Sequence, residues 1–114
     1  MSTVVDTTPM IEVRKTEAFT AWFNTLRDCI ARLRIQVRID RLALGNPGKH
    51  RVLTNSVCEL KIDHGPGYRV YYAQRGKRLV VLLCGGDKRS QRTDIEAALQ
   101  RSSDEPPAPL GAIE

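Results

Sequence analysis

The sequence predicts an α+β fold: two N-terminal helices packed on a small antiparallel sheet, followed by a short C-terminal helix. Three observations carry this expectation. Between Val57 and Cys84 stand three short apolar runs rich in Val, Ile and Tyr, each followed by a compact glycine-bearing turn. Such runs describe an antiparallel meander, because the connections are too short for the crossover helix that parallel neighbours need. Upstream, Phe19, Trp22, Phe23 and Leu26 recur at the i, i+3, i+4, i+7 spacing of an amphipathic helix. The whole chain is 114 residues, the size of one domain able to bury a core without staples.

Taken in order, residues 1–9 read as a flexible arm, residues 10–101 as the single domain, and residues 102–114 as a disordered acidic, proline-rich tail. Met10 to Arg14 can add a short strand. Thr16 is placed to cap a helix starting at Glu17. Asp28 breaks that run and is placed to cap a second helix. In that helix Ile30, Leu33, Val37 and Leu44 mark one stripe, and Ile35, Ile39 and Leu42 a neighbouring one. So wide an apolar arc predicts packing against both the sheet and the first helix. Gly45-Asn46-Pro47-Gly48 ends it. Lys49 to Leu53 forms a strand leading, through Thr54-Asn55, into the meander of Val57–Ile62, Tyr68–Ala73 and Leu79–Cys84, which Gly85-Gly86 stops. Thr93 and Glu96 match a capping box opening a helix from Asp94 to about Gln100.

The net charge is +5, which favours polyanionic partners. From Lys61 to Arg92 there are eight Lys or Arg against two Asp. Charges inside a strand belong on an open face, since burying them unpaired is costly. Strand alternation puts Cys58, Leu60 and Ile62 with Tyr68, Val70 and Tyr72 on a packed face. Glu59, Lys61, Arg69 and Tyr71 then share an outer face. The third meander strand is apolar on both faces and reads as nearly covered. Cys29, Cys58 and Cys84 match no zinc spacing; Cys58 and Cys84 sit in apolar runs and read as core thiols of a reducing compartment. No apolar run approaches membrane-spanning length and no secretory signal opens the chain, so the expected location is cytoplasmic.

The outer face carries the candidate chemistry. Arg69 offers a rigid fork for a phosphate. Tyr71 offers an aromatic platform or a proton-donating hydroxyl, and Lys61 a second positive charge. His64, at the adjoining turn, offers an imidazole as acid or base. Lys49, Arg51, Lys88 and Gln91 stand around the sheet rim as candidate RNA contacts. Structural readings stand beside these: Glu59 pairing with Arg69, Tyr71 stacking only on neighbours, His64 solvated in its turn. Gly85-Gly86-Asp87-Lys88 lacks the pattern of a nucleoside-triphosphate loop. The sparse His and acidic residues offer no metal cluster, so a metal-free, cofactor-free chemistry is expected.

In order, the segments Gly45-Asn46-Pro47-Gly48, Cys58-Glu59-Leu60-Lys61, Gly65 to Tyr72 and Leu82 to Lys88, with Gln91 and Asp94-Ile95, resemble one family. It is the phage-derived, HigB-like addiction module killer family of the RelE/ParE toxin superfamily, and the resemblance covers about residues 10–101. It implies a toxin encoded beside a helix-turn-helix antitoxin, which neutralises it and carries the pair to operator DNA. It further implies binding at the ribosomal A site and cleavage of mRNA there. Arg69 matches the superfamily's strand arginine; Lys61 and Tyr71 follow it. The chain departs from the pattern in having no tyrosine after Tyr72 and no histidine near the end of the last strand. Tyr71, His64 or Lys88 would take those roles. Inhibition of DNA gyrase, as in ParE-like members, and a non-catalytic antitoxin-binding co-repressor are the alternatives.

Overall fold

The computed structural model describes residues 11–104. The expected arm at 1–9 and the tail beyond Asp104 lie outside these residues. In chain order the elements are β1 (Glu12–Lys15), α1 (Glu17–Thr25), α2 (Cys29–Ala43), β2 (His50–Thr54), β3 (Val57–Ile62), β4 (Tyr68–Arg75), β5 (Leu79–Asp87), a 3-10 turn (Lys88–Ser90) and α3 (Gln91–Asp104). The five strands form one sheet in the order β1-β5-β4-β3-β2. It is antiparallel from β2 to β5, as the short turns require. β1 joins the β5 edge in parallel, after the intervening helices and strands have supplied the crossover.

Local chemistry fixes the element ends. The Thr16 hydroxyl caps α1 at the Phe19 amide and itself donates to the Leu82 carbonyl at 2.8 Å, so the cap also ties α1 to β5. Asp28 caps α2, accepting from the Ile30 and Ala31 amides. Asn55 and Ser56 both take positive φ in the two-residue turn between β2 and β3, the geometry that suits the right-handed twist of a hairpin.

Helices α1 and α2 cover one face of the sheet. Phe19, Ile35, Ile39, Leu60, Val70, Tyr72 and Leu82 are buried between these layers. On α2 only the stripe Ala31, Ile35, Ile39, Leu42 is buried. The neighbouring stripe of Ile30, Leu33, Val37 and Leu44 faces outward, against the expectation that the whole arc packs. The Arg38 guanidinium staples α2 to the sheet edge by donating to the carbonyls of Lys61, Pro47 and Lys49.

The opposite face is covered too, by α3. Its Ala98, Ile95 and Leu99 pack on Val57, Tyr71, Ala73, Val81 and Leu83. The expected open face is therefore a second core, and Glu59 and Tyr71 are fully buried in it. Helix α3 is longer than predicted because it begins earlier, at Gln91, and ends later, at Asp104. Asp87 caps the 3-10 turn, with Ser90 completing a reciprocal capping box, and the chain then runs straight into α3. Thr93 and Glu96 thus lie inside the helix rather than opening it. At its other end Ser102 and Ser103 are helical, not tail. The Ser102 carbonyl accepts from Arg75 at 2.7 Å.

Gly85 and Gly86 do not stop β5; they lie within it. Trp22 of α1 stands directly over Gly85, and the Asp94 carboxylate of α3 directly over Gly86, so neither site has room for a Cβ. A bulge in β5 between the partners of Tyr71 and Tyr72 turns both Leu83 and Cys84 toward α3.

Candidate active site

The β3–β4 turn, Asp63-His64-Gly65-Pro66-Gly67, closes with Gly65 and Gly67 at positive φ. Gly67 stands against Arg69 and Lys88 with room for a Cβ, and it is the positive φ of 84° that favours glycine there. The result is a cleft of about 380 Å³ lined by Asp63, His64, Arg69, Lys88 and the turn glycines. Three of the eight sequence candidates therefore meet in one place: His64 on one wall, Arg69 at the base, Lys88 on the rim.

Arg69 is 8% exposed. In β4 it sits opposite Lys61 of β3 and opposite Gly86 of β5. Its Nη1 donates to the Tyr68 carbonyl at 3.1 Å, and its Nε lies 3.8 Å from the Glu59 carboxylate without a hydrogen bond of its own. Glu59 is the buried counter-charge behind the cleft. It accepts from the Gln91 amide at 2.8 Å and pairs with Arg51 at 3.1 Å. The structural reading of Glu59 as the partner of Arg69 thus holds in part: the carboxylate accepts one hydrogen bond, from Gln91, and faces the charges of both Arg51 and Arg69. Arg51 and Gln91 belong to this cluster and to a neighbouring notch that also holds Arg92. Gln91 is engaged by Glu59 rather than free on the rim.

His64 is held from outside the sheet. Its Nε2 lies 3.0 Å from the Asp28 Oδ2, while the Asp28 Oδ1 caps α2. One carboxylate thereby links the helix start to the wall of the cleft. The His64 bond, followed by the Ala31 amide, holds the Asp28 carboxyl below its usual value. With Nε2 bound, Nδ1 is the ring nitrogen left for a substrate. Lys88 is presented by the Asp87 cap, whose own carboxyl is lowered overall: burial opposes, and the Arg89 and Ser90 bonds outweigh it.

Two candidates take other places. Lys49 is exposed and paired with Asp63 at 2.8 Å, at the outer edge of the turn. Tyr71 is the clear correction. It is fully buried beneath α3, and no partner meets its hydroxyl in hydrogen-bonding geometry. Burial, then the nearby Glu59 carboxylate, raises its pKa well above the ordinary tyrosine value. A phenol so enclosed neither stacks on a base nor donates to one. Lys61 is half-buried and faces Arg69 across the strands without lining the cleft. Sequence reasoning named Asp28 only as a helix cap and Asp94 only as a helix start and part of the family resemblance; Asp94 accepts from the Ser90 hydroxyl at 2.5 Å over Gly86.

Among the described residues no three His, Cys, Asp or Glu side chains converge as metal ligands. No helix among them is long and apolar enough to cross a membrane.

A family model described as phage derived protein Gp49-like matches residues 21–103, which spans α2, the whole meander and nearly all of α3. A protein of Haemophilus influenzae (strain ATCC 51907 / DSM 11121 / KW20 / Rd), described as an uncharacterized protein, is 42% identical over 88 residues, covering 77% of this chain and 89% of its own length.

Proposed function

The chain belongs to the phage-derived Gp49-like family, and from its cleft and its likeness to RelE/ParE toxins we propose that it is the toxin of a toxin–antitoxin module. Its activity is ribosome-dependent endonucleolytic cleavage of mRNA in the cytoplasm. Its partners are the ribosome with bound mRNA and a helix-turn-helix antitoxin, through which alone it reaches operator DNA. The observation that carries the reading is the meeting of Arg69, His64 and Lys88 in one open cleft. Two cations and an imidazole around one space suit a phosphodiester.

In the reaction the ribose 2'-oxygen attacks the adjacent phosphorus as its proton is removed, and the bond to the 5'-oxygen breaks as that oxygen gains a proton. The products are a 2',3'-cyclic phosphate and a 5'-hydroxyl. Arg69 holds the phosphoryl oxygens and stabilises their growing charge, which is where a positioned cation helps most. His64 moves one proton through Nδ1, oriented by Asp28. Lys88 holds the leaving-strand phosphate. Glu59 keeps Arg69 from being a lone buried charge.

Expression of the wild type in growing cells is expected to arrest protein synthesis. Arg69→Ala, at equal protein level and equal melting temperature, is expected to lose about 10²–10³ in cleavage rate and to abolish the arrest. Undiminished toxicity of Arg69→Ala would remove Arg69 from the site. DNA breaks trapped on gyrase, with translation intact, would move the protein to the gyrase-inhibiting class.

A further inference from the structure

Helix α2 and its C-cap residue, Leu44, expose large apolar side chains that the fold leaves unused. Ile30, Leu33, Val37 and Leu44 are 52%, 61%, 38% and 70% exposed. Their spacing, i, i+3, i+7, i+14, is that of the a and d positions of a heptad repeat, with Asp40 at the remaining d. The stripe is about 21 Å long, at about 1.5 Å per residue. It borders an open groove of about 570 Å³ between α2 and the end of β3. Among the described residues nothing covers it.

Its flank identifies the occupant. Both e positions of this heptad frame, 34 and 41, are arginine, and both are exposed. The acids nearby are already engaged: Asp40 accepts from Gln36 at 2.9 Å and Asp63 from Lys49 at 2.8 Å. Charges at e and g select the partner of a helical seam. A second copy of this chain fits poorly. Packed antiparallel it would set Arg34 and Arg41 against the same arginines. Packed parallel it would offer Cys29, Gln36 and Ala43 at g, none of them acidic.

We propose that the α2 stripe is a docking surface for an amphipathic helix of a partner protein, with apolar residues along its seam and Glu or Asp beside it. Neither Arg69 nor the cleft's chemistry enters, so failure here and failure of the nuclease reading are separable.

The probe is a synthetic helix of about three heptads with Leu at a and d and Glu at e and g, whose own e/g repulsion keeps it from self-pairing. A matched peptide carries Lys at e and g. Binding to the full chain is followed by fluorescence anisotropy and by backbone amide shifts. The Glu peptide is expected to bind about tenfold or more tightly than the Lys peptide, with shifts centred on residues 30–44. Leu33→Glu, a surface change that leaves the melting temperature in place, is expected to lower that affinity about tenfold or more. Arg34→Glu combined with Arg41→Glu is expected to reverse the preference between peptides. Absence of binding, equal affinity for both peptides, full affinity in Leu33→Glu, or shifts centred on the cleft would each overturn the proposal. A dimer of the chain that Leu33→Glu dissolves would overturn it in favour of a second copy.

Discussion

Asp28 does two jobs with two oxygens, and both leave measurable traces. Its folded pKa lies below the ordinary 3.8, so it stabilises the fold fully above that value and loses the contribution as pH falls through the folded pKa. The melting temperature of the wild type should therefore fall more steeply below pH 4 than that of Asp28→Asn, as read by circular dichroism. Parallel curves would mean that the cap and the His64 bond carry no stability. Gly85 makes a steric prediction. The Trp22 indole occupies the space a Cβ would need, so Gly85→Ala should cost about 1–3 kcal/mol in urea unfolding and shift the Trp22 emission. The cysteines divide by burial. Cys58 and Cys84 are buried and Cys29 is exposed. Burial raises both buried thiols, and Asp94 helps push Cys84 up to about 11. One thiol per chain should react with a disulfide reagent at pH 8, and three after unfolding. Cys84 alone lies beneath α3, so two reactive thiols in the native protein would place α3 off the sheet.

At the scale of elements, α3 decides what the sheet can do. Its position was readable in part. The third meander strand is apolar on both faces, and Ile95, Ala98 and Leu99 supply an apolar stripe; together they call for a cover on the face opposite α1 and α2. The charges of Glu59, Lys61 and Arg69 argued the other way and prevailed in the sequence reading. The resolution is that charge can be buried when paired. Glu59 meets Gln91, Arg51 and Arg69 in the layer between sheet and helix. Glu59→Ala should therefore cost about 3 kcal/mol, near the low end for breaking a buried pair because Arg51 is half-exposed. It should also weaken cleavage by freeing Arg69. Tyr71→Phe should instead keep full toxicity and change stability little, because the hydroxyl it removes has no partner. Loss of activity in Tyr71→Phe would return the phenol to the chemistry. Helix starts were legible where one side chain sufficed, at Thr16 and Asp28. The α3 start was not, because Asp87 caps a 3-10 turn before the helix begins.

For the molecule as a whole, the periodicities located five strands and three helices, because those patterns report burial on one face. They did not report the parallel pairing of β1 with β5, which depends on where the ends of distant segments meet. Of the candidate site, Arg69, His64 and Lys88 converge as their strand and turn positions suggested. Tyr71 was lost to burial, and Gln91 and Arg51 were drawn to Glu59. What remains is a cationic cleft on a chain of net charge +5, so binding to RNA should weaken steeply as salt rises. The most direct test is cleavage in a purified system. Ribosomes programmed with mRNA and holding an empty A site are mixed with the protein, and the ends of the RNA are mapped. The account predicts cuts at A-site codons that leave a 2',3'-cyclic phosphate and a 5'-hydroxyl, and none with Arg69→Ala. Intact mRNA with the wild type, or equal cutting by Arg69→Ala, would contradict it.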